Sequence, residues 1–416
     1  MFDAVPFYVQ ATLNFVSGGL VALALLPTLY LAFLALLGGR HRPPVTTSRS
    51  TRFAFLVPAH NEETGIGATV ASLAAVDWPA DRVEIIVVAD NCSDGTAVVA
   101  RAAGAKVLER HNQELRGKGY ALELGFAHVL QETRADAVVV VDADTVVSPN
   151  LLAAFAARIA EGAMAMQAEY GVRNLQASWR TELMALALAM FHTLRSNARE
   201  RLGLSAGLRG NGMCFTRGCL EQFPQKSYGL VEDVEQGLAL GRGGVRVVAV
   251  VDAHVLGEMV SGGKASESQR RRWEDGRKKL KSEVLPGVLR DAAKTRSVML
   301  LDLAMDLLVP PLSSVALLVA VVVVVEAVRA VVVGPDLLTL LSWGPAVLLG
   351  LYVLRGMQLS GLGLRSVVVL FKAPLYIAWK VLLKLKGGPK KDDWVRTARE
   401  AAPTSSTTSP ESTTTT

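Results

Sequence analysis

Only three of the 416 residues are cysteine, Cys92, Cys214 and Cys219, and they form neither a disulfide framework nor a zinc-ligand spacing. A reducing compartment is the expectation that follows. The six histidines, at positions 41, 60, 111, 128, 192 and 254, make no metal-ligand cluster, and none is assigned a catalytic role. No nucleophile elbow is present, no dinucleotide-binding glycine fingerprint follows the first strand-like run, and no Walker A spacing occurs. The formal net charge is +6, yet no extended basic tract interleaved with aromatics accompanies it. Nucleic acid is therefore not an expected partner. Basic residues instead flank apolar blocks, so anionic lipid is the expected neighbour. No internal repeat is found.

Apolar residues are abundant. They make up 50% of the chain, and the mean hydropathy is +0.32. The excess lies in blocks near the two ends, which points to a bilayer. The first block, Tyr8 to Leu37, is too long for a signal-peptide core and reads as a signal anchor. The arginines after it, Arg40 and Arg42, put the following domain in the cytoplasm by the positive-inside rule, with the N-terminus outside. Leu312 to Val333 and Leu337 to Leu354, separated by Gly334, Pro335 and Asp336, read as a hairpin of membrane helices. Val298 to Leu308 carries Asp302 and Asp306 and reads as a helix lying in the interface. Lys372, Pro374, Lys380 and Lys384 interrupt Val367 to Leu385, which is read as amphipathic and interfacial; whether it crosses stays open. The Ser, Thr and Pro tail after Ala402 is expected to be disordered.

Between Phe53 and Val251, short apolar runs alternate with amphipathic stretches, the pattern of a mostly parallel sheet flanked by helices. Phe53 to Val57, Val83 to Val88 and Ala137 to Val141 read as buried strands. Each ends in polar residues: Pro58-Ala59-His60-Asn61-Glu62, Asp90-Asn91-Cys92-Ser93-Asp94-Gly95 and Asp142-Ala143-Asp144. Ligands collect at the carboxyl ends of strands in open α/β sheets, so three acid-rich ends imply one site.

The carboxylates of Asp142 and Asp144 lie two positions apart and share a side. Hard oxygen ligands in that arrangement suit Mg²⁺ or Mn²⁺ bridging a diphosphate. The competing reading makes Asp144 a cap for a helix starting near Pro149. Asp90 and Glu62 can accept hydrogen bonds from a nucleotide's base and ribose, although both lie in strings rich in turn and cap residues. Lys118, within Arg116-Gly117-Lys118-Gly119-Tyr120, opens an amphipathic helix where a lysine can meet phosphate. Leu230-Val231-Glu232-Asp233-Val234-Glu235 reads as a helix start: its acids answer either the helix dipole or a need for a general base. Arg209-Gly210-Asn211-Gly212-Met213-Cys214-Phe215 reads as a glycine-rich turn into a strand. In Gln269-Arg270-Arg271-Arg272-Trp273, a helix would put Gln269, Arg272 and Trp273 on one face, a cation for a departing diphosphate and an indole for a sugar. Arg270, Arg271, Arg277, Lys278, Lys279 and Lys281 then fall largely elsewhere, on a basic surface facing headgroups.

Taken in order, Pro58-Ala59-His60-Asn61-Glu62-Glu63, Asp90, Gly117-Lys118-Gly119, Asp142-Ala143-Asp144, Glu232-Asp233 and Gln269-Arg270-Arg271-Arg272-Trp273 resemble the membrane-bound family-2 glycosyltransferases, which include the cellulose, chitin and hyaluronan synthases. The resemblance implies an α/β GT-A (Rossmann-like) domain, a UDP-sugar donor and inverting chemistry. It implies that Asp144 and the donor diphosphate share Mg²⁺ or Mn²⁺, with Asp142 beside them. It further implies that Asp90 and Glu62 hold the uridine, that Lys118 serves the donor, and that Asp233 is the base. Gln269, Arg272 and Trp273 match the family's Gln-x-x-Arg-Trp pattern near acceptor and pyrophosphate. Lys390 to Thr397 is similar to the cytoplasmic tail of such enzymes.

Two departures are visible. Membrane crossings are fewer than in cellulose synthases, which puts export by one chain in doubt and leaves room for an export partner, a homo-oligomer, or a short or lipid-linked product. Val231 also replaces the Thr often found before Glu-Asp. The expected organisation is an N-terminal transmembrane anchor (1–45), a cytoplasmic transferase domain (50–290), interfacial and transmembrane helices (296–386) and a cytoplasmic tail (387–416). The expected activity is transfer of a sugar from a UDP-sugar to a growing polysaccharide or glycolipid at the cytoplasmic face, by a multi-pass protein of the inner or plasma membrane that takes a saccharide or lipid acceptor. Single addition to a lipid and non-catalytic nucleotide-sugar binding are the alternatives.

Overall fold

The computed structural model describes residues 6–39, 43–260 and 274–386. An eight-stranded sheet of order β3-β2-β1-β4-β7-β6-β8-β5 forms the centre. Its strands are β1 (Phe53–Ala59), β2 (Val83–Asp90), β3 (Lys106–Arg110), β4 (Ala137–Val140), β5 (Thr145–Val147), β6 (Ala165–Val172), β7 (Met213–Thr216) and β8 (Val247–Gly257). β3, β2, β1 and β4 pair in parallel, β7 runs antiparallel to both β4 and β6, and β8 is parallel to β6. Four pairings are parallel and three antiparallel, so this is the mixed α/β sheet of a GT-A, Rossmann-like domain, with its parallel half carrying β1, β2, β3 and β4.

Alternation along β1 explains the two layers. Phe53, Phe55 and Val57 enter one core with Ile66, Val70 and Leu73 of α2 (Ile66–Ala74) and Leu151, Leu152 and Phe155 of α5 (Leu151–Ala160). Ala54 and Leu56 enter the opposite core with Leu122, Phe126 and Val129 of α4 (Lys118–Glu132). A strand apolar on both faces must be covered on both, as runs such as Val138-Val139-Val140 predict. Helix α3 (Thr96–Ala102) completes the β2–β3 crossover. Helix α5 begins at Leu151 after Asn150, so Asp144 caps no helix: the three residues of β5 intervene.

After β6 the chain forms α6 (Trp179–Leu188), a π-helical turn (Ala189–Leu194) and α7 (Arg195–Arg201) without a break, and after β7 come α8 (Arg217–Gln222) and α9 (Glu232–Arg242). Residues 274–283 are helical and are named α10. They lead into α11 (Leu285–Thr295) and α12 (Val298–Leu308).

Three helical stretches among the described residues are long and apolar enough to cross a membrane. They are α1 (Phe7–Leu37), α13 (Leu312–Val333) and the stretch Leu337–Leu359, made of α14 (Leu337–Leu341) and α15 (Trp343–Leu359). Buried Arg329 of α13 donates to Glu326, to Asn14 of α1 and to Asp336, which is how an apolar helix accommodates a charge: with its partners built in. Val367 to Leu385 is not one helix. It is split into α16 (Arg365–Leu370) and α17 (Ala373–Lys386), with Pro374 in the first turn of the second, where a missing N–H costs nothing.

Helix α12 forms as expected, but its carboxylates do not look out at headgroups. Asp302 and Asp306 are buried. Arg199 Nε donates to Asp302 Oδ2 (2.8 Å), Arg195 Nη1 donates to Asp306 Oδ1 (3.0 Å), and Tyr30 Oη of α1 donates to Asp302 Oδ1 (2.8 Å). Tyr352 Oη of α15 donates to the Met190 carbonyl in the π-helical turn and accepts from Arg195 Nε. One polar joint thus ties the sheet domain to α1, α12 and α15.

Candidate active site

The carboxyl ends of β1, β2 and β4 open into one cleft of about 1970 Å³. Glu62, Asp90, Lys118, Asp142, Asp144 and Asp233 all line it. Six residues from five separate strings of the sequence therefore share one cavity.

At the β2 end, Asp90 is buried, and its Oδ1 accepts from Arg110 Nη1 (2.7 Å) and Asn91 Nδ2 (3.0 Å). His60 Nδ1 lies 2.6 Å from the Asp90 carbonyl oxygen, and the Glu62 backbone N–H donates to Thr96 Oγ1 (2.8 Å). These contacts cross-link the β1 and β2 loops.

At the β4 end, Lys118 Nζ donates to Asp142 Oδ1 (2.5 Å) and to the Gly210 carbonyl (2.6 Å), and lies 3.9 Å from Glu232 Oε1. Burial alone would lower the Lys118 pKa, but Asp142, Glu232 and Asp233 outweigh it and raise it, so the ammonium stays charged. Asp144 Oδ1 accepts from Thr145 Oγ1 (3.1 Å). Asn211, which the sequence reading left without a role, organises this corner. It is fully buried, its Oδ1 accepts the Asp142 N–H (3.1 Å), and its Nδ2 donates to Thr145 Oγ1 (2.9 Å). Gln167 Nε2 then holds the Asn211 carbonyl (2.7 Å). Gly210 (φ 80°) and Gly212 (φ 74°) on either side supply the left-handed backbone this turn requires.

Gly119 is explained by close approach. A Cβ there would lie 2.2 Å from the Ser227 backbone oxygen. Gly119→Ala is therefore expected to push apart the start of α4 and the 225–229 loop at a cost of about 1–3 kcal/mol. A fall in Tm measured by thermal melting checks this, and an unchanged Tm would mean that the loop yields freely.

Asp233 sits in the first turn of α9 across from Lys118, with a Gly210 Cβ position 3.3 Å from its Oδ2. Burial pushes its pKa above the ordinary carboxylate range against the opposing pull of Lys118. Burial likewise pushes Glu232 up to about 7. A carboxylate whose pKa is raised in a cleft is a stronger base than an ordinary one while it stays ionised.

Among the described residues, no group of three or more His, Cys, Asp or Glu side chains is arranged to hold a metal ion alone. The pair at the β4 end instead fits a hard cation that draws its other ligands from water and a bound diphosphate. Gln269, Arg272 and Trp273 lie outside the described residues.

Arg277 was expected on an outward basic surface. It turns inward, its Nη2 donating to the Asp306 carbonyl (2.8 Å), because a neighbouring buried carboxylate and aromatic ring reward the guanidinium there. The same cleft is also lined by Arg195, Arg209 and Arg277 and by apolar Leu312, Ala316, Leu349, Val353 and Ile377 from α13, α15 and α17.

Residues 51–276 match the family model described as Glycosyltransferase like family 2. The chain is 28% identical over 246 residues to the beta-monoglucosyldiacylglycerol synthase of Synechocystis sp., covering 56% of this chain and 50% of that protein. It is 28% identical over 181 residues to the probable glycosyltransferase YdaM of Bacillus subtilis, covering 41% of this chain and 42% of that one. The match thus spans half or less of the length of these curated relatives. Among solved structures, the mannosyltransferase PcManGT from Pyrobaculum calidifontis, in complex with GDP-Man and Mn²⁺, superposes with a TM-score of 0.55 at 18% identity. The match covers 88% of this chain and 99% of PcManGT, a likeness of fold.

Proposed function

The chain belongs to the glycosyltransferase-like family 2, and from that premise we propose that it is an inverting transferase moving a sugar from a UDP-sugar to a lipid-borne acceptor. The observation that carries this reading is the convergence of Asp142, Lys118 and Asp233 in a cleft that apolar helices also line.

In the proposed reaction, Glu62 and Asp90 receive the uridine and Lys118 offsets negative charge near the diphosphate. The acceptor hydroxyl oxygen bonds to the anomeric carbon while the bond from that carbon to the diphosphate oxygen breaks. The hydroxyl proton passes to Asp233 and UDP leaves. One base acting opposite the leaving group requires inversion. A divalent cation held by Asp144, with Asp142 beside it, would supply charge neutralisation for the departing diphosphate. PcManGT carries Mn²⁺ with a nucleotide sugar, which supports a metal here. Gln269, Arg272 and Trp273 are assigned to the acceptor and pyrophosphate on sequence pattern alone.

The apolar residues lining the cleft favour a lipid-linked product over a long free polysaccharide, and one relative is named for making beta-monoglucosyldiacylglycerol. Three apolar helices and the basic residues around them support an integral membrane protein with its catalytic domain on the cytoplasmic side. The test is to incubate membranes with a panel of radiolabelled UDP-sugars. One labelled hexose is expected in the organic extract; no incorporation into lipid or polymer from any donor would contradict the proposal.

A further inference from the structure

In the cavity that Asp233 and the apolar residues also line, four guanidinium groups face two carboxylates of α12. Arg195, Arg199, Arg209 and Arg277 gather around Asp302 and Asp306. Three of the four, Arg195, Arg209 and Arg277, line the cleft, and all three crowd the ring of Phe191, with guanidinium carbons 4.8, 4.3 and 5.7 Å from its centroid.

Asp233 also acts through space on Arg209 and Arg277, so four cations meet three carboxylates and the cluster keeps one unmatched positive charge. Arg209 is 5% exposed, reaches Asp306 only at 3.4 Å, and its Nε has no hydrogen-bond partner. Nη1 of the fully buried Arg199 is also unpartnered, but Arg199 does not line the cleft, so the case rests on Arg209. Orphaned donors on buried cations are costly, which is reason to expect an absent anion. Burial pushes the Arg209 pKa down to about 10, with Arg199, Arg277 and Arg195 adding to the fall and Asp306 opposing it.

The position narrows what the anion belongs to. Arg209 directly precedes Gly210, which lies against Asp233, so the surplus charge is next to the proposed base. The apolar wall of Leu312, Leu349, Val353 and Ile377 lies on the same cleft. A ligand filling both has a phosphate and a hydrocarbon chain.

We infer that Arg195, Arg209 and Arg277 form a phosphate subsite for the acceptor, which is a lipid carrying a phosphate or diphosphate group as well as the hydroxyl that attacks the sugar. This rests on the transferase reading of the cleft. The phosphate is held, not consumed: the bond changes are those given above, with the proton passing to Asp233. The site thereby selects phosphorylated lipids over neutral ones bearing the same hydroxyl.

The experiment uses the detergent-purified full chain. Its first arm offers phosphatidylglycerol and a polyprenyl diphosphate-linked sugar against diacylglycerol and an alkyl glycoside, with labelled UDP-sugar. A phosphorylated acceptor is expected to be labelled at least tenfold faster than either neutral one; equal or faster labelling of a neutral acceptor overturns the subsite and leaves the transferase reading intact. In the second arm, with no donor, native mass spectrometry compares retained phosphatidylglycerol and diacylglycerol in the wild type, Arg209→Gln and Arg277→Gln. Arg277 is at the edge of the joint, so its variant is the safer one to fold. At least a fivefold loss of phosphatidylglycerol by Arg277→Gln supports the subsite even where no acceptor is labelled, and undiminished retention overturns it. Where transfer occurs, Arg277→Gln is expected to raise the acceptor KM and leave the donor KM unchanged. A rise confined to the donor KM assigns these arginines to the nucleotide diphosphate and overturns the inference.

Discussion

Asp233→Asn is expected to lower kcat by about 10² to 10⁴-fold, the usual contribution of a positioned general base. Asparagine keeps the shape of the side chain but cannot accept a proton, so UDP affinity measured by calorimetry should change little. The elevated pKa values of Asp233 and Glu232 give a signed pH dependence. A base must be ionised, so kcat/KM falls on acidification, and it falls nearer neutrality than an ordinary carboxylate would allow. Glu232 and Asp233 adjoin each other and share the field of Lys118, so the descending limb belongs to the pair rather than to either alone. A profile that does not fall until the ordinary carboxylate range contradicts the raised pair, and an Asp233→Asn enzyme with wild-type kcat removes Asp233 from the reaction.

Chelation and Asp144→Asn should act on the same term. Stripping divalent cations is expected to abolish transfer in the wild type and Mn²⁺ or Mg²⁺ to restore it. Asp144→Asn should cost on the order of 10²–10³-fold, the scale of losing one electrostatic stabiliser of a charged transition state, and should raise the metal concentration needed for half-activity. Asp142→Asn should differ. The Asp142 side chain is paired with Lys118, so loss of its charge should also lower Tm, whereas the Asn211 contact to its backbone N–H is kept. Full activity of Asp144→Asn in excess chelator would refute a metal role for that carboxylate.

Strands β1, β2 and β4 were legible because residues buried on both faces must be continuously apolar, and the acids ending those runs fall where an α/β sheet gathers its ligands. Lys118 was legible from the glycines beside it; its pairing with Asp142 was not, because the two are 24 positions apart. Antiparallel β7 was hidden for a related reason: four residues after a glycine turn state no direction. The arginine joint leaves the least trace in the sequence. Asp302 and Asp306 in an apolar helix look like an interfacial pattern until their partners are known, and Arg195 lies 111 positions from Asp306. Local periodicity carries no information about such a pair. Asn211 and Gln167 were missed on the same ground: buried amides that orient a neighbour resemble ordinary turn and strand residues in one dimension. The split between α16 and α17 did leave a signal in Pro374, which an uninterrupted helix would not tolerate at its centre.

The stereochemistry of the product tests the account most directly. With an α-linked UDP-hexose as donor, proton NMR of the isolated glycolipid should show the β-anomer, as attack opposite the diphosphate with Asp233 as base demands. A product of retained α-configuration would contradict that account, whatever the acceptor.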